Sequence, residues 1–209
     1  MLISNKYKYI FIHIYKNAGS SIRAALVPES FNFIHYSTVR LLKKFNLYVP
    51  GRIDPHPLYS HTKARDIADY VGIEKFNSYF TFAIVRNPWD WQVSIYNHVL
   101  NTNFHYQHKF IKQLDGFDEY IKWRCTKEIR FQKDFIYSKD GKLLVDFVGR
   151  FENINDDFQR ICSHLSINAK LPKLNTSNSK PYQEYYTRET KELVRRTFDP
   201  DIALFEYTF

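Results

Sequence analysis

The feature that most constrains the fold is an order of three parts that occurs twice: an apolar run, a polar loop and a helix-like segment. The first occurrence has its run at residues 9–14, its loop at residues 16–21 and its helix at residues 22–27. The run is continuous rather than alternating, which is typical of a strand buried on both faces of a parallel sheet. Parallel strands are joined through helices, so this order predicts an α/β fold.

The second occurrence has its apolar run at residues 79–85, followed by Arg86, Asn87 and a helix over residues 89–100. Pro88 lies where helices accept proline, at the first position. The spacing predicts that Trp89, Val93, Tyr96 and Leu100 share the inner face of this helix. We therefore predict an α/β, P-loop-like three-layer fold, with a central, mainly parallel sheet flanked by helices. With 209 residues, 44% of them hydrophobic, the chain suits a single domain over residues 1–209.

The remaining elements follow from local signals. Gly72 closes a predicted helix at residues 62–71, and an Asp140-Gly141 turn lies between candidate strands at residues 135–137 and 143–148. Further helices are predicted at residues 40–46, 117–124, 156–164 and 187–198. Loops are predicted at residues 50–57 and 175–180.

Charge and cysteine content narrow the possible partners and compartments. The chain has 30 Lys and Arg against 22 Asp and Glu, a net charge of +8, which favours anionic partners: a nucleotide, an acidic polysaccharide, nucleic acid or an acidic membrane. Cys125 and Cys162 are too few for a disulfide framework or a cysteine zinc site. The sequence shows neither a signal-peptide core nor a transmembrane stretch. We therefore expect a cytoplasmic protein.

The loop of residues 16–21 has the chemistry that an anion needs. Lys16 is a cation, Ser20 and Ser21 carry hydroxyls, and Ala18 and Gly19 are small enough for backbone amides to approach a phosphate. The lysine precedes the glycine, so this is not a Walker A loop. On its own, the loop is equally compatible with an ordinary turn in which Ser20 or Ser21 caps the helix.

Both segments resemble a known family. Residues 11–21, FIHIYKNAGSS, resemble the 5′-phosphosulfate-binding loop, usually FIHIPKTAGTS, of the sulfotransferases that modify carbohydrates, including the heparan and chondroitin O-sulfotransferases. Residues 82–96 resemble the segment in which an Arg and a Ser eight positions later hold the 3′-phosphate. Arg86 and Ser94 occupy those positions. The resemblance implies that the donor is 3′-phosphoadenosine 5′-phosphosulfate (PAPS), that the product is adenosine 3′,5′-bisphosphate (PAP), and that no metal is needed.

The resemblance extends along nearly the whole chain, with further blocks at residues 60–65, 140–153, 174–177 and 205–209. Four residues depart from the usual pattern: Tyr15 replaces a Pro, Asn17 replaces a Thr, and Trp91 and Gln92 stand where an Arg and an aliphatic residue are common. None of the four removes a group that holds phosphate.

The resemblance also implies roles for individual residues. His61 matches the family's histidine and is our choice for the base, because imidazole titrates near working pH. Lys16 would stabilise the leaving phosphate. The cofactor-binding residues would be Lys16, Asn17, Ala18, Gly19, Ser20, Ser21, Arg86, Ser94 and Lys180. Taken singly, Arg86 also suits a surface ion pair, and Ser94 and Lys180 suit solvated positions.

We expect other roles for the remaining histidines that the sequence singles out. His13 lies inside a buried run and is expected to be a hydrogen-bonded core residue. His98, His105 and His108 lie on or after a helix, where they are candidates for lining an acceptor cleft.

The leading hypothesis is therefore a sulfotransferase that moves a sulfuryl group from PAPS to a hydroxyl of a carbohydrate or another acceptor. We expect no nucleic-acid partner, and the sequence does not define the oligomeric state. A P-loop-type kinase is an alternative that would require magnesium. A non-catalytic polyanion-binding domain is another, resting on the net charge.

Overall fold

One sheet organises the part of the chain that the computed structural model describes, residues 1–30, 60–172 and 180–209. Within these ranges the sheet has four strands, in the order β1 (Leu2–Ser4), β2 (Tyr9–Ile12), β3 (Phe80–Val85) and β4 (Phe147–Arg150). β1 pairs antiparallel with β2, whereas β2, β3 and β4 are parallel. The prediction of a mixed α/β fold with a mainly parallel sheet is confirmed.

Both predicted parallel strands are present, although β2 ends at Ile12, two residues before the predicted end. All four residues of β2 are buried, as their uninterrupted apolar pattern predicts. β1 was not predicted, because its three residues are too few to show a period.

The prediction of a hairpin at residues 135–148 is wrong in part. The turn forms, with Gly141 at a φ of 84°, but among the described residues its flanks meet only in one bridge, between Tyr137 and Leu143. The second flank instead leads into β4, which pairs with β3. The carboxylate of Asp146 accepts hydrogen bonds from the main-chain N–H and the hydroxyl of Thr81, both at 2.8 Å. This contact holds the start of β4 beside β3.

The described helices are, in chain order, α1 (Gly19–Ser30), α2 (Ala64–Val71), α3 (Ile73–Ser78), α4 (Pro88–Leu100), α5 (His108–Ile111), α6 (Gly116–Lys127), α7 (Ile154–Leu165), α8 (Arg188–Thr197) and α9 (Asp199–Leu204). Short 3-10 turns occur at Lys133–Phe135, Phe151–Asn153 and Tyr182–Tyr185. α1, α2, α4, α6, α7 and α8 confirm predicted helices within a few residues at each end. Nowhere in the described ranges is a helix long and apolar enough to cross a bilayer.

The prediction for the inner face of α4 is partly wrong. Trp89 and Val93 are buried, but Tyr96 and Leu100 are only half-buried. Trp91, Gln92, Ile95 and Val99 are buried instead, so α4 is covered on more than one side.

Three predictions lie outside the described residues. They are the helix at residues 40–46, the loop at residues 50–57 and most of the loop at residues 175–180.

The chain divides into two compact units. The first contains residues 1–85 and 135–175, and the second contains residues 86–134 and 176–209. In the first unit, α1 and α7 pack their apolar faces on the sheet, and the shared core includes Phe11, Leu26, Phe82 and Phe158. In the second unit, the largest buried side chains include Trp91, Tyr120 and Phe198. The single domain over residues 1–209 stays a prediction.

Candidate active site

The loop that follows β2 has an unusual backbone. Lys16 and Ala18 adopt positive φ angles of 65° and 58°, whereas Asn17 between them does not. Residues with a Cβ rarely adopt this conformation. Backbone that alternates in this way can turn successive N–H groups toward a common point and form a concave anion site. The main-chain N–H of Ile22 then donates to the carbonyl of Ala18 at 3.0 Å, which starts α1. The first amides of a helix point away from the helix body and favour an anion.

Asn17 anchors the loop to the sheet. Its side chain is 1% exposed, and its Nδ2 donates to the carbonyl oxygen of Ile84 on β3 at 2.8 Å. Its side-chain amide therefore positions the loop. Of the other loop residues, Ser20 is exposed, Lys16 and Ala18 are half-buried, and Ser21 is buried.

Gly19 is required for space rather than for an unusual backbone angle. A Cβ placed on Gly19 would lie 1.7 Å from Nε2 of His13. The ring of His13 stacks on Phe11, with 5.6 Å between ring centroids, and is 9% exposed. The small residue at position 19 therefore lets His13 fill the space under the loop.

His13 is buried as predicted, but the expectation of a hydrogen-bonded side chain is wrong for its Nδ1, which has no hydrogen-bond partner among the described residues. Burial, followed by the nearby His61, lowers the pKa of His13 well below 6.5. The imidazole is therefore neutral at pH 7. The carbonyl oxygen of His13, and not its imidazole, forms the hydrogen bond with His61.

His61 is oriented by that carbonyl. Nδ1 of His61 lies 3.0 Å from the carbonyl oxygen of His13. A carbonyl only accepts hydrogen bonds, so Nδ1 carries the proton and Nε2 keeps its lone pair. The ring packs 4.4 Å from that of His13 and 5.8 Å from that of Tyr15, measured between centroids. His61 keeps part of its surface in solvent, yet the loss of water around its ring lowers its pKa below 6.5. The imidazole is therefore neutral near pH 7, with Nε2 unprotonated, which is the protonation state that a general base needs.

Arg86 directly follows β3 and belongs to the second unit. Its side chain is 13% exposed, and Nε donates to Oδ2 of Asp90 at 2.7 Å. An ion pair therefore does exist at Arg86, but it is largely buried and does not lie on the open surface. Asn87 caps α4 through Oδ1, which accepts the N–H of Trp89 at 3.1 Å. Pro88 occupies the first position of the helix, as predicted.

Sequence reasoning missed Gln132, which contacts Arg86, and Asp201, which contacts the main chain of Gln132. The side-chain amide of Gln132 contacts both main-chain groups of Arg86, and the carboxylate of Asp201 accepts main-chain N–H groups of Gln132 and Lys133. Burial raises the pKa of Asp201 to about 6. Gln132 lies 46 positions from Arg86, so no periodicity or motif connects them in the sequence.

Ser94 is half-buried on α4, four residues after Asp90 and four before the exposed His98, so the three share one helix face. Lys180 is exposed, its Nζ donates to the carbonyl of Glu184 at 2.8 Å, and the ammonium lies 4.8 Å from the ring centroid of Tyr185. Both residues belong to the second unit.

The three histidines predicted for an acceptor cleft differ in exposure. His98 is exposed and His105 is half-buried, with its ring 4.7 Å from that of Tyr106. His108 is buried, and its Nδ1 lies 2.9 Å from the carbonyl of Val99. The structure therefore gives His108 a packing role within the second unit. In the described ranges, no group of His, Cys, Asp and Glu residues is arranged to hold a metal ion.

The fold is that of a mixed α/β protein in which charged residues follow two neighbouring parallel strands. A sequence profile of the sulfotransferase family matches residues 1–208, so the chain belongs to that family. This membership supports sulfotransfer as the activity, with PAPS as the donor that the family generally uses. The chain is also similar to an uncharacterized protein of Archaeoglobus fulgidus, with 26% identity over 121 residues that cover 56% of this chain and 94% of that protein.

Proposed function

We propose that the protein is a PAPS-dependent O-sulfotransferase that acts on a carbohydrate hydroxyl, built as one P-loop-like three-layer domain over residues 1–209. One observation carries the proposal. β2 and β3 are adjacent parallel strands; the loop of residues 16–21 begins four positions after the end of β2, and Arg86 directly follows β3 in the chain. Ligands of open α/β sheets bind at the carboxyl ends of strands.

Each part of the donor has its own set of protein groups. The 5′-phosphosulfate is assigned to the loop amides, the ammonium of Lys16 and the hydroxyls of Ser20 and Ser21. The alternating backbone at Lys16, Asn17 and Ala18 supports this assignment because such backbone presents several N–H groups to one anion. The 3′-phosphate is assigned to Arg86 and Ser94, with Lys180 as a further cation.

In the reaction, the acceptor hydroxyl oxygen attacks the sulfur of PAPS while its proton passes to Nε2 of His61. The bond between sulfur and the bridging oxygen breaks, and its electron pair stays on the 5′-phosphate of PAP. The hydrogen bond from Nδ1 of His61 to the carbonyl of His13 favours this role because it leaves Nε2 unprotonated. The ammonium of Lys16 offsets the charge that develops on the leaving phosphate.

Two further features support the proposed substrates and compartment. The net charge of +8 suits an anionic donor and an acidic acceptor, with no nucleic acid required. Cys125 and Cys162 are buried free thiols, which is compatible with the reducing cytoplasm. We therefore keep the cytoplasm as the proposed compartment.

The first test is calorimetric titration with PAP and with ADP, each with and without magnesium. We expect micromolar PAP binding that is independent of magnesium, and an Arg86→Ala variant that binds PAP at least about tenfold more weakly, as for loss of a charged hydrogen bond. Arg196→Ala is the matched control, because Arg196 is exposed and pairs locally, with Glu192 at 2.8 Å. ADP binding that needs magnesium would indicate a kinase, and salt-sensitive polyanion binding without PAP binding would indicate the non-catalytic alternative.

The second test separates catalysis from donor binding. We expect His61→Ala to lower turnover by about 10²–10⁴-fold, the usual contribution of a general base, while PAP affinity stays close to that of the parent. Lys16→Ala should also lower turnover more than PAP affinity, because its charge acts mainly on the departing phosphate. Unchanged turnover in His61→Ala would remove His61 from the mechanism without affecting the assignment of the donor.

A further inference from the structure

The main chain of Arg86 is held on both sides by one side chain. Oε1 of Gln132 accepts the N–H of Arg86 at 2.9 Å, and Nε2 of Gln132 donates to the carbonyl of Arg86 at 2.7 Å. Gln132 is 0% exposed, so water does not compete for these hydrogen bonds. The amide of Gln132 therefore pairs with Arg86 as a neighbouring strand would, at the residue where β3 has ended.

Gln132 is in turn held by Asp201, which is also 0% exposed. Oδ2 of Asp201 accepts the main-chain N–H of Gln132 at 2.7 Å, and Oδ1 accepts that of Lys133 at 3.0 Å. Asp201 lies in the first turn of α9. The carboxylate therefore fixes the backbone from which the Gln132 side chain extends.

The guanidinium of Arg86 is restrained separately, by Asp90. The contact from Nε to Oδ2 is 2.7 Å, and Asp90 lies one turn into the same segment. An arginine that is fixed at both its main chain and its Nε loses little further rotamer freedom when it binds an anion. This arrangement is typical of a residue that is oriented before its ligand arrives.

We propose that Gln132, held by Asp201, is a positioning residue for Arg86 and sets the strength with which the protein holds the 3′-phosphate of its donor. The inference rests on the proposed function, because it takes Arg86 as the 3′-phosphate ligand. If Gln132 only stabilised the fold, its loss would instead weaken PAP binding and AMP binding by the same factor. The distinguishing quantity is the preference for PAP over AMP, since AMP lacks the 3′-phosphate.

The experiment measures calorimetric affinities for PAP and AMP in the parent, Gln132→Ala, Asp201→Asn and Arg86→Ala. We expect Gln132→Ala to lower PAP affinity about tenfold and to leave AMP affinity within about twofold, the loss expected when a charged hydrogen bond is misaligned. Asp201→Asn should change the preference in the same direction, because an asparagine amide cannot accept two N–H groups through both of its terminal atoms.

Gln92→Ala is the matched control. Gln92 is also 0% exposed and belongs to the same unit, but its Oε1 accepts from Nε of Arg124 at 3.1 Å and not from Arg86. It therefore matches the loss of a buried glutamine without disturbing Arg86. The preference for PAP over AMP should be that of the parent. In an Arg86→Ala background, Gln132→Ala should produce no further change in the preference.

The possible failures are distinct. A parent that binds PAP and AMP equally would refute the proposed function. A parent that prefers PAP, together with a Gln132→Ala variant that keeps the whole preference or loses PAP and AMP affinity equally, would overturn the inference alone. If Gln132→Ala does not fold, Gln132→Met takes its place, because methionine has a similar length but neither accepts the N–H of Arg86 nor donates to its carbonyl. Its preference should fall between those of the parent and Arg86→Ala, and a full parental preference would overturn the inference.

Discussion

Gly19→Ala provides a direct test of how the loop is packed on the strand before it. The new Cβ would lie 1.7, 1.9 and 2.5 Å from Nε2, Cδ2 and Cε1 of His13. Ordinary contacts of this kind lie at about 3.5–4.0 Å, so the ring has to move. Its exposed fraction is only 9%, and Phe11 and His61 pack close to it, at 5.6 and 4.4 Å between centroids. The ring therefore has little space into which it can rotate.

The magnitude follows from these contacts. Overpacking a buried site costs about 1–3 kcal/mol, and an off-rotamer side chain about 0.5–1.5 kcal/mol. Replacing a helical glycine by alanine stabilises the helix by at most about 1 kcal/mol, and by less at the first position of α1. We expect Gly19→Ala to lower the free energy of unfolding by about 1–3 kcal/mol. Turnover should fall as well, because displacement of His13 disturbs the carbonyl that orients His61.

The assay is urea unfolding of a double-mutant cycle with His13→Ala. Removing the imidazole removes the obstacle, so Gly19→Ala should cost at least about 1 kcal/mol less in the His13→Ala background. Gly141→Ala is the control: Gly141 has a φ of 84°, and a Cβ there would have nothing within 4 Å, so the cost comes from backbone conformation and should be equal in both backgrounds. An equal cost of Gly19→Ala in both backgrounds would refute the steric explanation.

Three further predictions concern pH, the loop anchor and a helix cap. Burial holds the pKa of His13 well below 6.5, so the unfolded chain binds a proton that the folded chain excludes; stability should therefore fall as pH falls below about 6.5, by up to about 1.4 kcal/mol per pH unit. Urea titrations should show a smaller slope in His13→Ala, and equal slopes would contradict the assignment. Asn17→Asp should cost about 1–3 kcal/mol, and more than Asn17→Ala, because a carboxylate would face the carbonyl of Ile84 in place of a donor; thermal unfolding that ranks the two variants in reverse would argue against this contact. Thr187→Ala removes the side chain that caps α8 and should cost about 1 kcal/mol, whereas the exposed Thr126→Ala should stay within about 0.5 kcal/mol. Equal chemical-denaturation midpoints for those two variants would contradict the capping role.

The local pattern of the sequence determined the main elements. The uninterrupted apolar runs identified β2 and β3, and Asn87 with Pro88 marked the start of α4 within one residue. These features are readable because burial on both faces and helix capping depend on residues close together in the chain. The composition of the loop after β2 likewise indicated an anion site, since cations, hydroxyls and small residues are chemical properties of the residues themselves.

Only the tertiary structure decided what several of those residues contact. Gly19 suggested room for a phosphate in the sequence, whereas the structure shows that it makes room for His13. Asn17, expected at the ligand, uses its side chain to hold the carbonyl of Ile84. Gln132, which carries no local signal, holds the main chain of Arg86. The contacts of Asn17 and Gln132 join residues 67 and 46 positions apart. They depend on how the chain returns to β3 and to the segment that follows it, which no local periodicity records.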